Sequence, residues 1–381
     1  MKAAWLRLAG ALVVLGCGAS GNSTDKPANA AGSSSGGSGS AGMTIGGRQN
    51  GGSSAGSNSA SGSGDGAGAN GKSFECPAGA SEAPKLTGLT PTRVLGVPPA
   101  DDFNNMNNDF SNIEGDVWIG DALYVSEITT THAPQGQPPP SRVLKVTADD
   151  QVSVMLPDSG SNGLAVNGTG ELFGALHQDG SISKLSLSGG AAVPVASMFM
   201  GARFDSPNDL TIHPNGTIYF TDPSHQAPQP APQAATRAYR VPPGGQPEVI
   251  EPAVNLSQPN GISLSKAHDF LYIGGGQLKK YPVMADGSLG ASTEFVAGGG
   301  GDGMVVDCGD NLYVASGSDP TFSVYSSAGT LIDKVTVTGL SQVTNLAFGG
   351  ADHKTLYVSG QGGKDQKGLF KIAMNVAGFP Y

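Results

Sequence analysis

Six polar residues stand at the same place in a phrase that recurs along the chain: Glu114, Asn162, Asn208, Asn260, Asp302 and Asn345. Two are carboxylates and four are amides, a set of oxygen donors suited to one hard divalent cation, Ca²⁺ first, with Mg²⁺, Mn²⁺ or Zn²⁺ as substitutes. In a single repeat, Asn or Asp at this point reads as an ordinary turn residue opening a strand. Glu114 has no such turn preference. No Lys or Arg stands at an equivalent position, so two carboxylates brought together there need a compensating charge.

The elements that must position these residues are legible in the phrase itself. Each copy holds a polar residue, a short apolar run, a turn with Gly, Asn or Asp, and a second apolar run. EGDVWIGDALYVSEI (114–128), NDLTIHPNGTIYFTDP (208–223) and DGMVVDCGDNLYVASG (302–317) are examples. Successive copies begin about 42 to 52 residues apart, a period that predicts a β-propeller of six blades. Further strand signals lie between the phrases, RVLKVTA (142–148) with QVSVMLP (151–157) and SISKLSL (181–187) with AAVPVAS (191–197). Four strands per repeat follow. The last repeat ends at GLFKIAM (368–374) without a fourth strand, and PTRVLGV (91–97) precedes the first inner strand. The N-terminal segment is therefore expected to supply the outer strand of blade six and close the ring. If every inner strand starts at one face, the six polar residues meet around one channel mouth. The long Pro- and Gln-rich loops at 131–141 and 223–237 would rise beside them.

Composition narrows the partners. The net charge of −10 argues against nucleic acid, whose phosphates require clustered Lys and Arg. Lys2 and Arg7 precede an apolar segment, Leu8 to Gly16, too short to span a bilayer as a helix. The segment ends at Val14-Leu15-Gly16-Cys17, which is similar to a bacterial lipobox. Residues 1–17 are thus expected to be a lipoprotein signal, with Cys17 lipidated and the protein exported to the outer membrane, periplasm or cell surface. Residues 18–72 are Gly, Ser, Ala and Asn with few apolar side chains and are expected to form a disordered tether. Gly32-Ser33-Ser34-Ser35-Gly36 within it has the form of a hydrolase GxSxG but neither the strand before it nor the helix after it. The propeller is expected over 73–381, as a monomer touching the membrane only through its lipid. With Cys17 acylated, Cys76 and Cys308 are the two cysteines left. In an exported protein, on the face opposite the ring residues, they are expected to form a disulfide.

The stretch RFDSPNDLTIHPNGTIYFTDP (203–223) resembles the gluconolactonase branch of the SMP-30/regucalcin-like family, as do IEGDVWIGDALYVSEI (113–128), QPNGISLS (258–265) and TNLAFGGADHKTLYVS (344–359). The resemblance implies a six-bladed propeller that hydrolyses a sugar lactone with a divalent metal. It implies Glu114, Asn208, Asn260 and Asp302 as metal ligands, and Asn162 and Asn345, with Asn208, as polar groups facing substrate. It also places His177 toward the substrate. Asp302 is the expected base for the attacking water, and His177 the alternative acid or base. Two departures stand out: EGDVW where EGPVW is commoner, and a Pro- and Gln-rich run after Pro223 in place of Tyr-Gly. They leave the substrate open between sugar lactones and other lactones, esters or organophosphates. A lipid-anchored Ca²⁺-binding propeller without catalysis is the remaining alternative.

Overall fold

The computed structural model describes residues 76–77, 82–94, 110–129, 135–251, 256–362 and 368–379. The expected signal segment with Cys17, and the tether at 18–72, lie outside the described residues. What is described is all strand and turn, and no helix among the described residues is long and apolar enough to cross a membrane.

Strand β1 (Thr92–Arg93) comes first in the chain and last in the architecture. Blade one is β2 (Phe110–Ile119), β3 (Ala122–Thr129), β4 (Ser141–Thr147) and β5 (Val152–Leu156), in that order from the centre outward. Blade two is β6 (Ser161–Val166), β7 (Leu172–Leu176), β8 (Ser181–Leu185) and β9 (Val193–Ala196). A small hairpin of β10 (Met198–Phe199) and β11 (Ala202–Arg203), which no sequence signal announced, leads to blade three. Blade three is β12 (Leu210–Ile212), β13 (Ile218–Asp222), β14 (Arg237–Val241) and β15 (Glu248–Val249). Blade four is β16 (Ile262–Leu264), β17 (Phe270–Ile273), β18 (Leu278–Pro282) and β19 (Thr293–Val296). Blade five is β20 (Met304–Val306), β21 (Leu312–Ala315), β22 (Thr321–Tyr325) and β23 (Leu331–Thr336). Blade six is β24 (Gln342–Gly349), β25 (Thr355–Gln361) and β26 (Gly368–Ala373), completed by β1, which pairs Thr92 with Lys371 and Arg93 with Phe370.

The first strands touch in the order β2, β6, β12, β16, β20, β24 and back to β2, which closes a six-bladed β-propeller. Closure pairs the outer edge of blade six with the N-terminal strand, leaving no gap in the ring. The apolar core is correspondingly divided into six layers, each between two neighbouring blades. Leu123, Val125 and Leu144 of blade one meet Tyr357 and Leu369 of blade six, and Tyr219 of blade three meets Leu271 and Tyr281 of blade four. The alternation that produces such layers is plain in β22, where Phe322 and Val324 point inward between half-exposed neighbours.

The closing segment is also fixed covalently. Cys76 and Cys308 form a disulfide with their Cα atoms 5.5 Å apart. Cys308 lies in the turn between β20 and β21, where its N–H donates to Ala377 O (2.8 Å) and its carbonyl accepts Lys266 Nζ (2.7 Å).

Candidate active site

Each ring residue is held where two blades meet, and the polar stitching runs from blade to blade. Gly163 N–H donates to Asn208 O (2.6 Å), and Gly303 N–H to Thr344 O (2.8 Å). Thr221 Oγ1 donates to Asn260 O (2.6 Å), and Thr344 Oγ1 to Ile113 O (2.6 Å), the latter joining the last blade to the first. These close approaches explain why a ring residue is so often followed by Gly. A Cβ on Gly261 would fall 1.9 Å from Asp302 O, and one on Gly303 would fall 2.3 Å from the Asn345 side chain. No larger residue fits unless the blades part.

Asn208 is placed by a second device. The Asp222 carboxylate, at the end of β13, accepts the N–H groups of Asp205 (3.0 Å) and Ser206 (2.7 Å), fixing the segment that enters the ring. Burial pushes Asp222 up to about 7, against the pull of those two hydrogen bonds.

Glu114, Asn208, Asp302 and Asn345 are all buried, each at most 7% exposed. Glu114 receives one hydrogen bond, from Asn112 Nδ2 (3.1 Å). Its pKa is raised well above the carboxylate range, first by burial and next by the charge of Asp302 across the channel, with Asp116 and Asp209 adding to it. Asp302 is likewise raised, by burial and then by Asp209, while Gly303 N–H (3.1 Å) pulls the other way. The charges acting on these two groups among the described residues are therefore all acidic. Asn260 Oδ1 is buried with no hydrogen-bond partner among the described residues. An orphan amide oxygen on the same cleft as Asp302, with a second buried carboxylate that Asp302 repels, is a donor set that fits a hard cation. Asn260 and Asp302 also line an open cleft of about 670 Å³, with His225, Gln258, Ser316 and Lys334 on its walls. A cavity of that size accommodates a small organic substrate.

His177, expected toward the substrate, is bonded to the loop at 135–140. It is fully buried and is not among the residues lining that cleft. Its Nε2–H donates to Pro139 O (2.7 Å), its backbone carbonyl accepts Arg203 Nη2 (3.0 Å), and burial pushes its pKa down to about 4. The imidazole is thus neutral and ties the loop at 135–140 to blade two. Gln229 N–H donates to Gly136 O (3.0 Å), so the two long loops brace each other as well. Asn162 is buried, with its Nδ2 unpartnered among the described residues, while Asn345 Oδ1 accepts Leu346 N–H (2.7 Å).

Two acidic residues of the channel were not singled out by the sequence. Asp209 follows Asn208 and reads as part of its turn. Asp116 stands out in the sequence only as a departure from EGPVW. Both are buried, and burial pushes both up to about 7. His225, on the cleft wall, lacked any spacing that would have marked it.

The profile of the SMP-30/gluconolactonase/LRE-like region matches residues 104–361. The chain belongs to this family. Among its relatives, a gluconolactonase of Zymomonas mobilis is 28% identical over 210 residues, covering 50% of this chain and 56% of the relative. A pentonolactonase of Haloferax volcanii is 28% identical over 170 residues, covering 42% and 55%. The chain thus spans little more than half the length of the curated relatives it matches. Among solved structures, a gluconolactonase of Xanthomonas campestris superposes with a TM-score of 0.58 at 25% identity, covering 70% of this chain and 87% of that one.

Proposed function

We propose that the chain is a lactone hydrolase acting at the channel mouth, with a sugar lactone as substrate and an aldonic acid as product. The observation that carries the reading is the buried, mutually repelling pair Glu114 and Asp302, with Asp302 on the wall of a cleft of substrate size. Glu114, Asn208, Asn260 and Asp302 would hold one divalent cation, Ca²⁺ by the hardness of the donors. Such an ion supplies Lewis acidity toward a carbonyl oxygen when bound. Asp302, ionised at that site, takes a proton from water at the cleft edge. Asn162 and Asn345 hold sugar hydroxyls by side-chain hydrogen bonds. His177 keeps the 135–140 loop in place through Pro139 rather than moving a proton. Names of the relatives support both gluconolactones and pentonolactones as substrates.

The test is turnover by the full chain, after chelation and after Ca²⁺ is restored, against aldono-1,4- and 1,5-lactones and aryl esters. Hydrolysis of an aldonolactone, lost with chelator and regained with Ca²⁺, is expected. Turnover of none of these, or lactone turnover indifferent to chelation, would sink the reading. We further propose export and lipidation at Cys17, which the Cys76–Cys308 disulfide supports, since such bonds persist in oxidising compartments. Radiolabelled fatty acid should enter the wild type and not Cys17→Ser.

A further inference from the structure

The open cleft of about 670 Å³ extends well past Asn260 and Asp302. It follows the seam between blades four and five outward, and Ser323, Tyr325 and Lys334 line its far end. Asp302 stands just before β20, whereas Lys334 lies on β23, the outermost strand of the same blade. Three strand spacings separate those strands, roughly 14 Å at about 4.8 Å each. Clefts of about 300–1,000 Å³ take ligands of drug size, and a single aldonolactone ring is much smaller. The seam is open here for a local reason. Residues 298–301 are four consecutive glycines, and with Gly275 and Gly276 they line the cleft with backbone in place of side chains. That floor is firmly paired: Gly275 N–H donates to Gly301 O (2.9 Å), and Gly301 N–H to Gly275 O (3.3 Å). A Cβ on Gly300 would fall 2.3 Å from Gly275 O, so the close approach itself requires glycine.

The far end has a distinct chemistry. Along β22, Phe322 and Val324 are buried in the layer shared with blade six, so Ser323 and Tyr325 face the seam. The Tyr325 ring stands edge-on to Phe295, with 6.4 Å between centroids. Ser316 and Ser318, their hydroxyls 3.1 Å apart, lie on the same wall. Two basic side chains reach the cleft. Lys334 has its charge answered by Asp319, Nζ to Oδ2 3.1 Å, and burial holds His225 below the ordinary His value, so its imidazole is neutral at pH 7. The cleft thus offers no uncommitted cation to a phosphate or carboxylate. It offers hydroxyls, peptide groups and one aromatic ring, which suit the hydroxyls and the apolar face of a sugar. An alkyl chain laid there would cover those polar groups without hydrogen bonds, at a cost. Resting on the lactone-hydrolase reading, we propose that the substrate is a glycosylated aldonolactone. Its lactone ring sits at Asn260 and Asp302, and a second, neutral sugar lies along the glycine floor against Ser323 and Tyr325. Binding of that remote sugar raises kcat/KM for the longer substrate.

The test compares kcat/KM of the full chain, with Ca²⁺, for maltobiono- and cellobiono-1,5-lactone against glucono-1,5-lactone. The wild type should favour at least one disaccharide lactone by about 10-fold or more, the worth of one or two net hydrogen bonds. Ser323→Trp, which fills the far end, should bring that ratio close to parity by raising KM for the longer lactone. A wild type at or below parity for both disaccharide lactones overturns the proposal and leaves the lactone-hydrolase reading standing. So does a ratio that Ser323→Trp leaves unaltered. A stronger preference for a 6-phosphorylated or an alkyl-substituted lactone overturns the neutral sugar. Turnover of no lactone at all removes both readings together. Should Ser323→Trp fail to fold, Tyr325→Ala decides in its place: loss of the preference is expected, and its retention refutes the placement.

Discussion

Asp302 carries two duties in the proposed site, ligand and base, so its removal is the sharpest single test. Asp302→Ala should cut lactone turnover at least about 100-fold, the lower range for loss of a positioned general base. Near-normal kcat would show that neither duty is real. His177 makes the opposite case. With the ring buried, neutral and bonded to Pro139 O, His177→Gln should cost about 1–3 kcal/mol by leaving buried acceptors unpaired. Turnover should then change chiefly through KM. A fall of 100-fold in kcat at unchanged melting temperature would restore it as a proton-transfer group. The difference between the two residues marks what a sequence conveys about a site. Asp302 is defined by its place in a repeat, which fixes both strand and direction. His177 follows a hairpin, and whether such a residue faces the cleft or the core depends on the loop laid over it, here the one ending at Pro139. Asp116 and Asp209 are not legible as site residues for a related reason. Their weight comes from burial together with charges on other blades, which no local pattern records.

Among the elements, β1 and the disulfide beside it decide whether the ring stays shut. The bond joins residues 232 apart in sequence, and cross-linking so long a loop is worth roughly 5 kcal/mol on the chain-entropy account, with measured values often lower. Replacing Cys76 and Cys308 together by Ser should lower the melting temperature by up to about 10–20 °C, at 2–4 °C per kcal/mol for a large domain. The loss should appear first as faster hydrogen exchange in β26, whose outer partner is β1. An unchanged midpoint would mean that the pairing of Thr92 and Arg93 suffices by itself. The four-strand blades and the closing strand could be read in advance because each hairpin phrase repeats its turn chemistry and its apolar alternation. The hairpin of β10 and β11 could not. Its Met and Phe residues serve as an exposed flap and a packing anchor respectively, Met198 being 58% exposed while Phe199 packs on Tyr239, and a pattern of apolar residues does not separate those roles.

For the molecule as a whole, the buried carboxylates link stability to pH and, on the proposed function, to metal. In the metal-free protein Asp116, Asp209 and Asp222 sit near 7, well above the ordinary Asp value near 3.9. A carboxylate raised on folding contributes stability that is fully present below the unfolded value, near pH 4, and is lost as pH rises through 7. His177 works against this, since burial lowers its pKa to about 4 from the ordinary His value near 6.5. Its contribution is full above 6.5 and lost as pH drops toward 4. Between pH 4 and 6.5 the two oppose each other, and the carboxylates are more numerous. Above 6.5 the His177 contribution is complete, and the metal-free protein loses stability as the buried carboxylates ionise near pH 7. A divalent cation bound as proposed would compensate the buried negative charge that drives this loss, and it would compete with protons for the same oxygens. The rise in melting temperature on adding Ca²⁺ to chelator-stripped protein should therefore be small at pH 5 and grow through pH 6, 7 and 8. Scanning fluorimetry at these four values, with Ca²⁺ and with chelator, reads it directly. A rise that is constant across the range, or largest at pH 5, would mean that the channel carboxylates do not bind the ion.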